Sequence, residues 1–306
     1  MIRIENLVKT YGAVRALDGL SLNVESGVVY GFLGPNGAGK TTSMRILSGL
    51  ARPDSGRAWI LDKEIGRPGS DVRALIGVLP EEPVFYGWMT PREYLRDFIA
   101  PLYHIHGQVA ARRADELLEI VGLKDAANRR IGGFSRGMRQ RMGLAQALVH
   151  QPPVLLLDEP VSALDPAGRK EVLELIETLR GKTTILLSTH ILADVDRVCD
   201  MVGIIARGRL IVQARRDDLL ARYVTPLFEI EAGDGFGNWL EWVEKQDFVT
   251  NVTVSNQTAR VLVKDVHQAQ KPLLESLARE TLSVRRFEVV QPSLEDVFLR
   301  LTGKEA

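Results

Sequence analysis

The chemistry of this 306-residue chain is concentrated in the run Gly34-Pro35-Asn36-Gly37-Ala38-Gly39-Lys40-Thr41. Gly34 and Gly39 bracket four residues, and a lysine and a hydroxyl residue follow, which is the spacing of a phosphate-binding loop. Glycines let backbone N–H groups turn inward around an anion, and the start of a helix adds partial positive charge. Lys40 would reach the β- and γ-phosphates, and the Thr41 hydroxyl would ligate Mg2+. Such a loop needs a strand before it and a helix after it. Val28-Val29-Tyr30-Gly31-Phe32-Leu33 reads as a buried strand, and Thr42 to Ser48, with Met44, Ile46 and Leu47, reads as the opening of a helix. These residues, Gly34 through Thr42, are read as the binding site of a nucleoside triphosphate.

A second motif supplies the acid–base chemistry. Val154-Leu155-Leu156-Leu157-Asp158-Glu159-Pro160 is an apolar run of buried-strand length that ends in adjacent carboxylates. Side chains alternate along a strand, so Asp158 and Glu159 are expected to point different ways. Asp158 would hold the metal, directly or through water, and Glu159 would face an attacking water as general base or water-orienting group. Between the two motifs, Gly132-Gly133-Phe134-Ser135-Arg136-Gly137-Met138-Arg139-Gln140-Arg141 opens a helix running to about Val149, with Ser135 as N-cap. Arg136, Arg139 and Arg141 crowd the positive end of that helix, where cations are disfavoured, so an anion is expected nearby.

The order of phosphate loop, Phe134-Ser135-Arg136-Gly137-Met138, Leu155-Leu156-Leu157-Asp158-Glu159-Pro160, Ser162-Ala163-Leu164-Asp165 and Ser188-Thr189-His190 resembles the nucleotide-binding subunit of an ABC transporter, over roughly residues 2–215. The resemblance implies an α/β P-loop NTPase, an ABC ATPase domain over 1–215 with a helical subdomain at about 82–128. It implies two such subunits paired head to tail, each ATP lying between one phosphate loop and the other subunit's signature. Ser135 and Gly137 would then contact the γ-phosphate of ATP held by the partner. Glu159 would be the catalytic carboxylate, Lys40 would act on the phosphates, and His190 would contact the γ-phosphate and hold the closed state. Asp165 would lie in the loop crossing the dimer interface. Tyr11, just before Gly12, matches the aromatic that stacks on adenine, since a π-face recognises a base without reading its edges.

Two positions depart from the family pattern. The signature usually reads Leu-Ser-Gly-Gly-Gln, and Phe134, Arg136 and Met138 stand in three of those places while Ser135 and Gly137 remain. Altered affinity is expected rather than loss of the site. In Leu79-Pro80-Glu81-Glu82-Pro83, Glu81 stands where the family usually has Gln. A carboxylate can still ligate Mg2+ and orient water, but it adds negative charge near the γ-phosphate.

Composition agrees. Charged residues are 25% and hydrophobic ones 45%, ordinary for a globular protein, and the zero net charge gives no global electrostatic case for nucleic acid. The lone Cys199 cannot form an intrachain disulfide, and it falls with Val195 and Val198 on the apolar side of a helix, a core thiol of a cytoplasmic protein. The N-terminus lacks a signal-peptide pattern, and no apolar stretch approaches the roughly 18–20 residues needed to span a bilayer. The chain is therefore expected on the cytoplasmic face of the membrane, with the pore supplied by a separate integral membrane permease.

The docking segment for that permease is expected between Glu82 and Asn128. Thr90-Pro91-Arg92-Glu93 reads as a helix start with a capping box, leading through Tyr94, Leu95, Phe98 and Leu102. A second helix runs from about Gln108 to Val121 and stops at Gly122. Val84-Phe85-Tyr86-Gly87-Trp88-Met89 offers aromatic surface just before them. His104 and His106 are too isolated to argue for a metal.

Residues 222–306 read as a second, accessory domain. Strands at Leu227–Glu231, Phe248–Val254, Arg260–Val263 and Val284–Val290 alternate with helices at Phe236–Lys245 and His267–Arg279, and a final helix spans Ser293–Leu301. The order βαββαβ fits a small α+β, ferredoxin-like sandwich without catalytic residues. Its closing segment is similar to the tail of ATPase subunits in bacterial ABC exporters, which implies a role in stabilising or regulating the dimer. The reading as a whole is the ATP-hydrolysing motor of an exporter, with ATP and Mg2+ as ligands. Two alternatives are weighed. A soluble ABC ATPase acting on DNA would insert a long coiled coil between Lys40 and Ser135, where no sustained heptads occur, and one acting on the ribosome would carry two phosphate loops. A regulator without turnover is disfavoured by the presence of Lys40, Asp158, Glu159 and His190.

Overall fold

The computed structural model describes residues 1–68, 71–162, 164–223, 227–233, 235–280 and 282–290, with side chains given outside 220–223. Two compact units emerge, Met1–Arg216 and Asp217–Ala306. The first begins β1 (Ile2–Tyr11), β2 (Val14–Val24), β3 (Val29–Leu33), α1 (Lys40–Leu47), β4 (Ser55–Ile60), β5 (Lys63–Glu64) and β6 (Ile76–Leu79). Next come α2 (Pro91–Glu93), α3 (Ala100–Leu102), α4 (Gly107–Ile120), α5 (Arg136–Leu148), β7 (Val154–Asp158) and α6 (Pro166–Leu179). β8 (Thr184–Thr189), α7 (Leu192–Val198), β9 (Met201–Ala206) and β10 (Arg209–Arg215) complete it.

These strands form two sheets. The antiparallel sheet, ordered β2-β1-β4-β5, alternates: Ile2 and Ile4 are buried while Arg3 and Glu5 are exposed, as expected for a sheet with one wet face. The larger sheet, ordered β10-β9-β3-β8-β7-β6, is parallel except at its β10 edge. Its inner strands β3, β7 and β8 are buried at every residue, which is why they read as continuous apolar runs. One apolar core joins Ile2, Leu7 and Leu20 of the first sheet to Phe32, Leu156 and Leu186 of the second, with Ile46 and Leu47 of α1.

The helical segment begins as the sequence suggests. Thr90 caps α2, its hydroxyl accepting from Glu93 N at 3.3 Å while Glu93 Oε2 accepts from Thr90 N at 2.9 Å. The helix is not a uniform α-helix beyond that point. Tyr94–Ile99 is π-helical, and α3 closes the run. Pro101 lies in that closing turn; a proline ring crowds the carbonyl four residues back in an α-helix, and a wider turn is one backbone answer to it. α4 ends just before Gly122, whose φ of +65° supplies the left-handed residue that closes it.

The second unit holds α8 (Arg216–Tyr223, which begins at the boundary), β11 (Leu227–Ala232), α9 (Trp239–Glu244), β12 (Val249–Ser255), β13 (Thr258–Val263), α10 (Val266–Arg279) and β14 (Val284–Val290). Its sheet is antiparallel throughout, ordered β12-β13-β11-β14. The two strands that follow each other in sequence, β12 and β13, form the hairpin read around Asn256-Gln257, and Asn256 takes φ +54° in its turn. Phe228, Ile230, Val261 and Val263 face Trp239, Val243, Leu273 and Leu277 across a separate core. This is the α+β arrangement expected of a ferredoxin-like order. The final helix expected at Ser293–Leu301 lies outside the described residues.

Candidate active site

Strand register assembles the site. β8 pairs in parallel with β3 on one side, Thr189 opposite Leu33, and with β7 on the other, Ser188 opposite Asp158. All three strands end at the same level, so Gly34, Glu159 and His190 leave the sheet side by side. Ligands of open parallel sheets bind in this place, beyond the carboxyl ends of the strands.

The phosphate loop is shaped for close backbone approach. A Cβ at Gly34 would lie 2.4 Å from Ile205 O, and one at Gly39 would lie 2.7 Å from Ala16 O. Gly39 precedes α1 with φ +112° and offers no side-chain cap, so the first N–H groups of α1 have no acceptor from an N-cap side chain. Pro35, Asn36 and Gly37 form the exposed rim; Gly34, Ala38, Gly39 and Lys40 are buried; Thr41 and Thr42 are half-buried. The loop is locked by Ala38 N donating to Pro35 O at 3.1 Å and by Ser43 Oγ donating to Gly39 O at 2.9 Å. Lys40 folds back, Nζ donating to Gly34 O at 2.6 Å and to Pro35 O at 3.3 Å. Burial lowers its pKa, and the negative charges of Glu159, Asp158 and Glu81 pull it back up. A buried ammonium beside the uncapped start of a helix fits a polyphosphate anion.

Glu159 is the centre of the carboxylate cluster. The strand ends at Asp158, so alternation does not set the direction of the next side chain. Glu159 takes φ +49°, a left-handed conformation that costs a residue with a Cβ about 1–3 kcal/mol and recurs at functional sites. Its backbone is held from several sides. The N–H donates to Ser188 O at 3.1 Å and lies 3.3 Å from Ser188 Oγ. The carbonyl accepts from Ser162 Oγ at 3.1 Å and from Gln140 Nε2 at 3.4 Å. Its carboxylate lies 3.0 Å from His190 Nδ1 through both oxygens and 3.8 Å from Lys40 Nζ. Asp158 turns to Ser188, whose hydroxyl donates to Asp158 Oδ1. Glu159 is buried, whereas the His190 side chain is 50% exposed and open to a ligand from outside.

The other expected site residues are more scattered. Ser135 caps α5, its hydroxyl accepting from Met138 N at 3.2 Å, and Gly137 lies in the first turn of that helix. Neither belongs to the cluster around Lys40, Glu159 and His190. Glu81 follows β6, and its charge reaches Lys40. Tyr11 ends β1, 45% exposed, with Lys9 Nζ 5.3 Å from the centre of its ring.

The three arginines of the signature helix already have partners within the chain. Arg139 Nη1 donates to Phe134 O at 2.5 Å, Arg136 pairs with Glu82 at 3.6 Å, and Arg141 reaches the carbonyls of Val121 and Gly122 at the end of α4. Arg141 also lies 3.6 Å from Glu171, so the carboxylates of Glu82 and Glu171 are anions near this helix. Cys199 is buried as expected, and burial pushes its thiol up. It lies in extended backbone just past α7 rather than on that helix, against Gly31, where a Cβ would come within 2.9 Å of its sulfur.

Sequence reasoning gave no role to Ser43, Gln140 or Ser188. Gln140 carried a signal: it shares the buried face of α5 with Leu144 and Ala147, an odd place for an amide without a task. Ser188, one residue inside the end of a wholly buried strand, carried another.

The family model of the ABC transporter matches residues 17–162, and that of the ATP-binding protein DrrA1-3-like C-terminal domain matches residues 215–302. The chain is 41% identical over 303 residues to the uncharacterized ABC transporter ATP-binding protein YxlF of Bacillus subtilis (strain 168), covering 98% of this chain and 99% of that one. It is 37% identical over 321 residues to the daunorubicin resistance ATP-binding protein DrrA2 of Streptomyces coeruleorubidus, covering 99% and 95%. A dimeric structure of the ATP-binding cassette MJ0796 in a post-hydrolysis state with ADP and Pi superposes with TM-score 0.65 at 26% identity, covering 70% of this chain and 98% of that one.

This chain belongs to the ABC transporter ATP-binding proteins. It is the ATP-binding and ATP-hydrolysing motor of such a transporter. Both the P-loop cassette and the α+β C-terminal domain expected from the sequence are borne out. Among the described residues no helix is long and apolar enough to cross a membrane.

Proposed function

We propose that the chain powers the export of a toxic amphiphile, paired head to tail with a second copy on the cytoplasmic face of a polytopic permease. The observation that carries the reading is the shared register of β3, β8 and β7, which gathers Lys40, Asp158, Glu159 and His190 at one sheet end. The likeness to a daunorubicin resistance protein supports a drug-like cargo.

The residues divide the work as follows. ATP phosphates lie against residues 34–42, where the first N–H groups of α1 and Lys40 meet them, Lys40 exchanging the Gly34 carbonyl for phosphate oxygens. Thr41, Asp158 and Glu81 would supply the oxygen-only donor set that suits Mg2+, which when bound would neutralise charge on the phosphates. Tyr11 stacks on adenine. Glu159 takes the proton of the attacking water, and His190 orients the γ-phosphate from its exposed side. Ser135 and Gly137 of the partner subunit close over the same nucleotide.

The helical segment offers the docking surface. Phe85 and Tyr86 pack edge-on against Tyr94 and Phe98, with centroids 5.3 and 5.1 Å apart, whereas Trp88 and Val84 remain 69% and 88% exposed. Trp88 is exposed although its ring also lies 6.1 Å from that of Tyr86, and apolar surface of this kind suits a partner helix. The test is a tagged Glu159→Gln chain expressed in its native cell and recovered with ATP from detergent-solubilised membranes. A polytopic membrane protein is expected to co-purify. Ribosomes or DNA with no membrane protein would overturn the reading.

A further inference from the structure

Behind the Glu159–His190 pair lies a second, deeper contact that the chemistry so far does not use. α6 starts immediately after Asp165, which caps it by accepting from Gly168 N at 3.0 Å. α7 starts just after His190 and Ile191. The first turns of these two helices are joined by one ion pair. Arg169 Nε and Nη2 both reach Asp194 Oδ1, at 2.7 and 2.6 Å. The Asp194 side chain is only 1% exposed, and its Oδ2 has no hydrogen-bond partner. Burial pushes the Asp194 carboxyl up, and the Arg169 guanidinium pulls it back down.

A buried carboxylate with one unsatisfied oxygen is a poor device for stability. Apolar residues in place of both members of such a pair would often be neutral or better. Charge-assisted pairs of this kind give geometry, because the guanidinium fixes both direction and distance. Here the geometry concerns two short connections. One runs from Glu159 to the Asp165 cap, and the other from Thr189 through His190 to α7. Each connection is anchored at its near end by β7–β8 pairing, where Ser188 lies opposite Asp158. Arg169–Asp194 ties their far ends.

We propose that Arg169 and Asp194 are positioning residues, which hold His190 in register with Glu159. The inference rests on the roles proposed above for Glu159 and His190.

The test is a double-mutant cycle on ATP turnover by the full chain. Asp194→Asn keeps the shape and leaves Arg169 its water-facing edge, so the thermal midpoint is expected to hold. kcat is expected to fall by about 10- to 100-fold, the range in which small misplacement acts, with KM for ATP nearly unchanged. The decisive readout is coupling: Asp194→Asn added to His190→Ala should slow the enzyme no further than His190→Ala alone. If Asp194→Asn does not fold, Arg169→Gln breaks the pair from its half-buried side and enters the same cycle. Full kcat in the single variant, or additive losses in the double, overturns the inference while His190 keeps its role. A His190→Ala chain with full turnover overturns both.

Discussion

At the scale of single residues, the site is a set of charges held close together. Glu159 lies between Lys40 and His190, and Asp158 is held by the Ser188 hydroxyl. Glu159→Gln keeps the shape but cannot accept a proton. Turnover is expected to fall by about 10²- to 10⁴-fold, the usual worth of a general base, while nucleotide binding and dimer formation persist in gel filtration with ATP. Equal hydrolysis by variant and parent would remove Glu159 from the mechanism. Ser188→Ala tests the metal assignment separately. It frees Asp158 from its buried donor, at a cost of about 1–3 kcal/mol. The Mg2+ concentration needed for half-maximal turnover should rise several-fold. A variant that merely melts earlier, with the same Mg2+ requirement, would assign Ser188 to the fold alone.

At the scale of elements, the junctions of the helical segment set its stability. Thr90→Ala removes the hydroxyl that accepts from Glu93 N, while the backbone N–H at 90 can still donate to Glu93, and is expected to cost about 1 kcal/mol in chemical denaturation. His150 anchors the same segment from below. Its ring stacks on Tyr103 with centroids 3.7 Å apart, its Nε2 lies 3.1 Å from Ile76 O at the edge strand β6, and its buried Nδ1 has no partner. Burial holds its pKa below the ordinary 6.5, against the pull of the Ile76 carbonyl. The unfolded chain therefore binds this proton first as pH falls, and the folded chain resists it. The contribution is fully present above about pH 6.5 and is lost as pH drops toward the lowered value. Thermal midpoints followed from pH 7.5 to 5 should decline, and His150→Phe, which keeps the stack but cannot titrate, should flatten that slope. An unchanged slope would place the pH sensitivity elsewhere.

At the scale of the whole molecule, two units carry separate cores. Trp239 is the largest fully buried side chain, and its indole Nε1 donates to Ser276 Oγ at 2.9 Å inside the second core. Trp239→Ala should destabilise that unit by about 3–5 kcal/mol through the cavity it leaves. Calorimetry is expected to show one transition moving and the transition of the nucleotide-binding unit holding its temperature. A common shift of both would mean that the two cores unfold together.

The residues also show how far a sequence alone reaches. The loop around Lys40 was legible because its glycines, lysine and hydroxyl stand at fixed local spacing, and the buried strands β3, β7 and β8 because sheets covered on both faces demand unbroken apolar runs. Capping at Thr90 and Ser135 was legible for the same local reason. The π-helical turn at Tyr94–Ile99 was not, since hydrophobic spacing does not distinguish it from an α-helix. The partners of Arg136, Arg139 and Arg141 were not legible either, because they come from other turns and helices. What the sequence determined was therefore local: which segments bend, cap and bury, and which side chains can bind phosphate or move a proton. Tertiary structure alone decided the left-handed turn at Glu159, its approach to His190, and the buried Arg169–Asp194 pair. Those depend on strand register and helix packing between residues far apart in the chain, where the distance of a charge from its neighbour is set by the whole core.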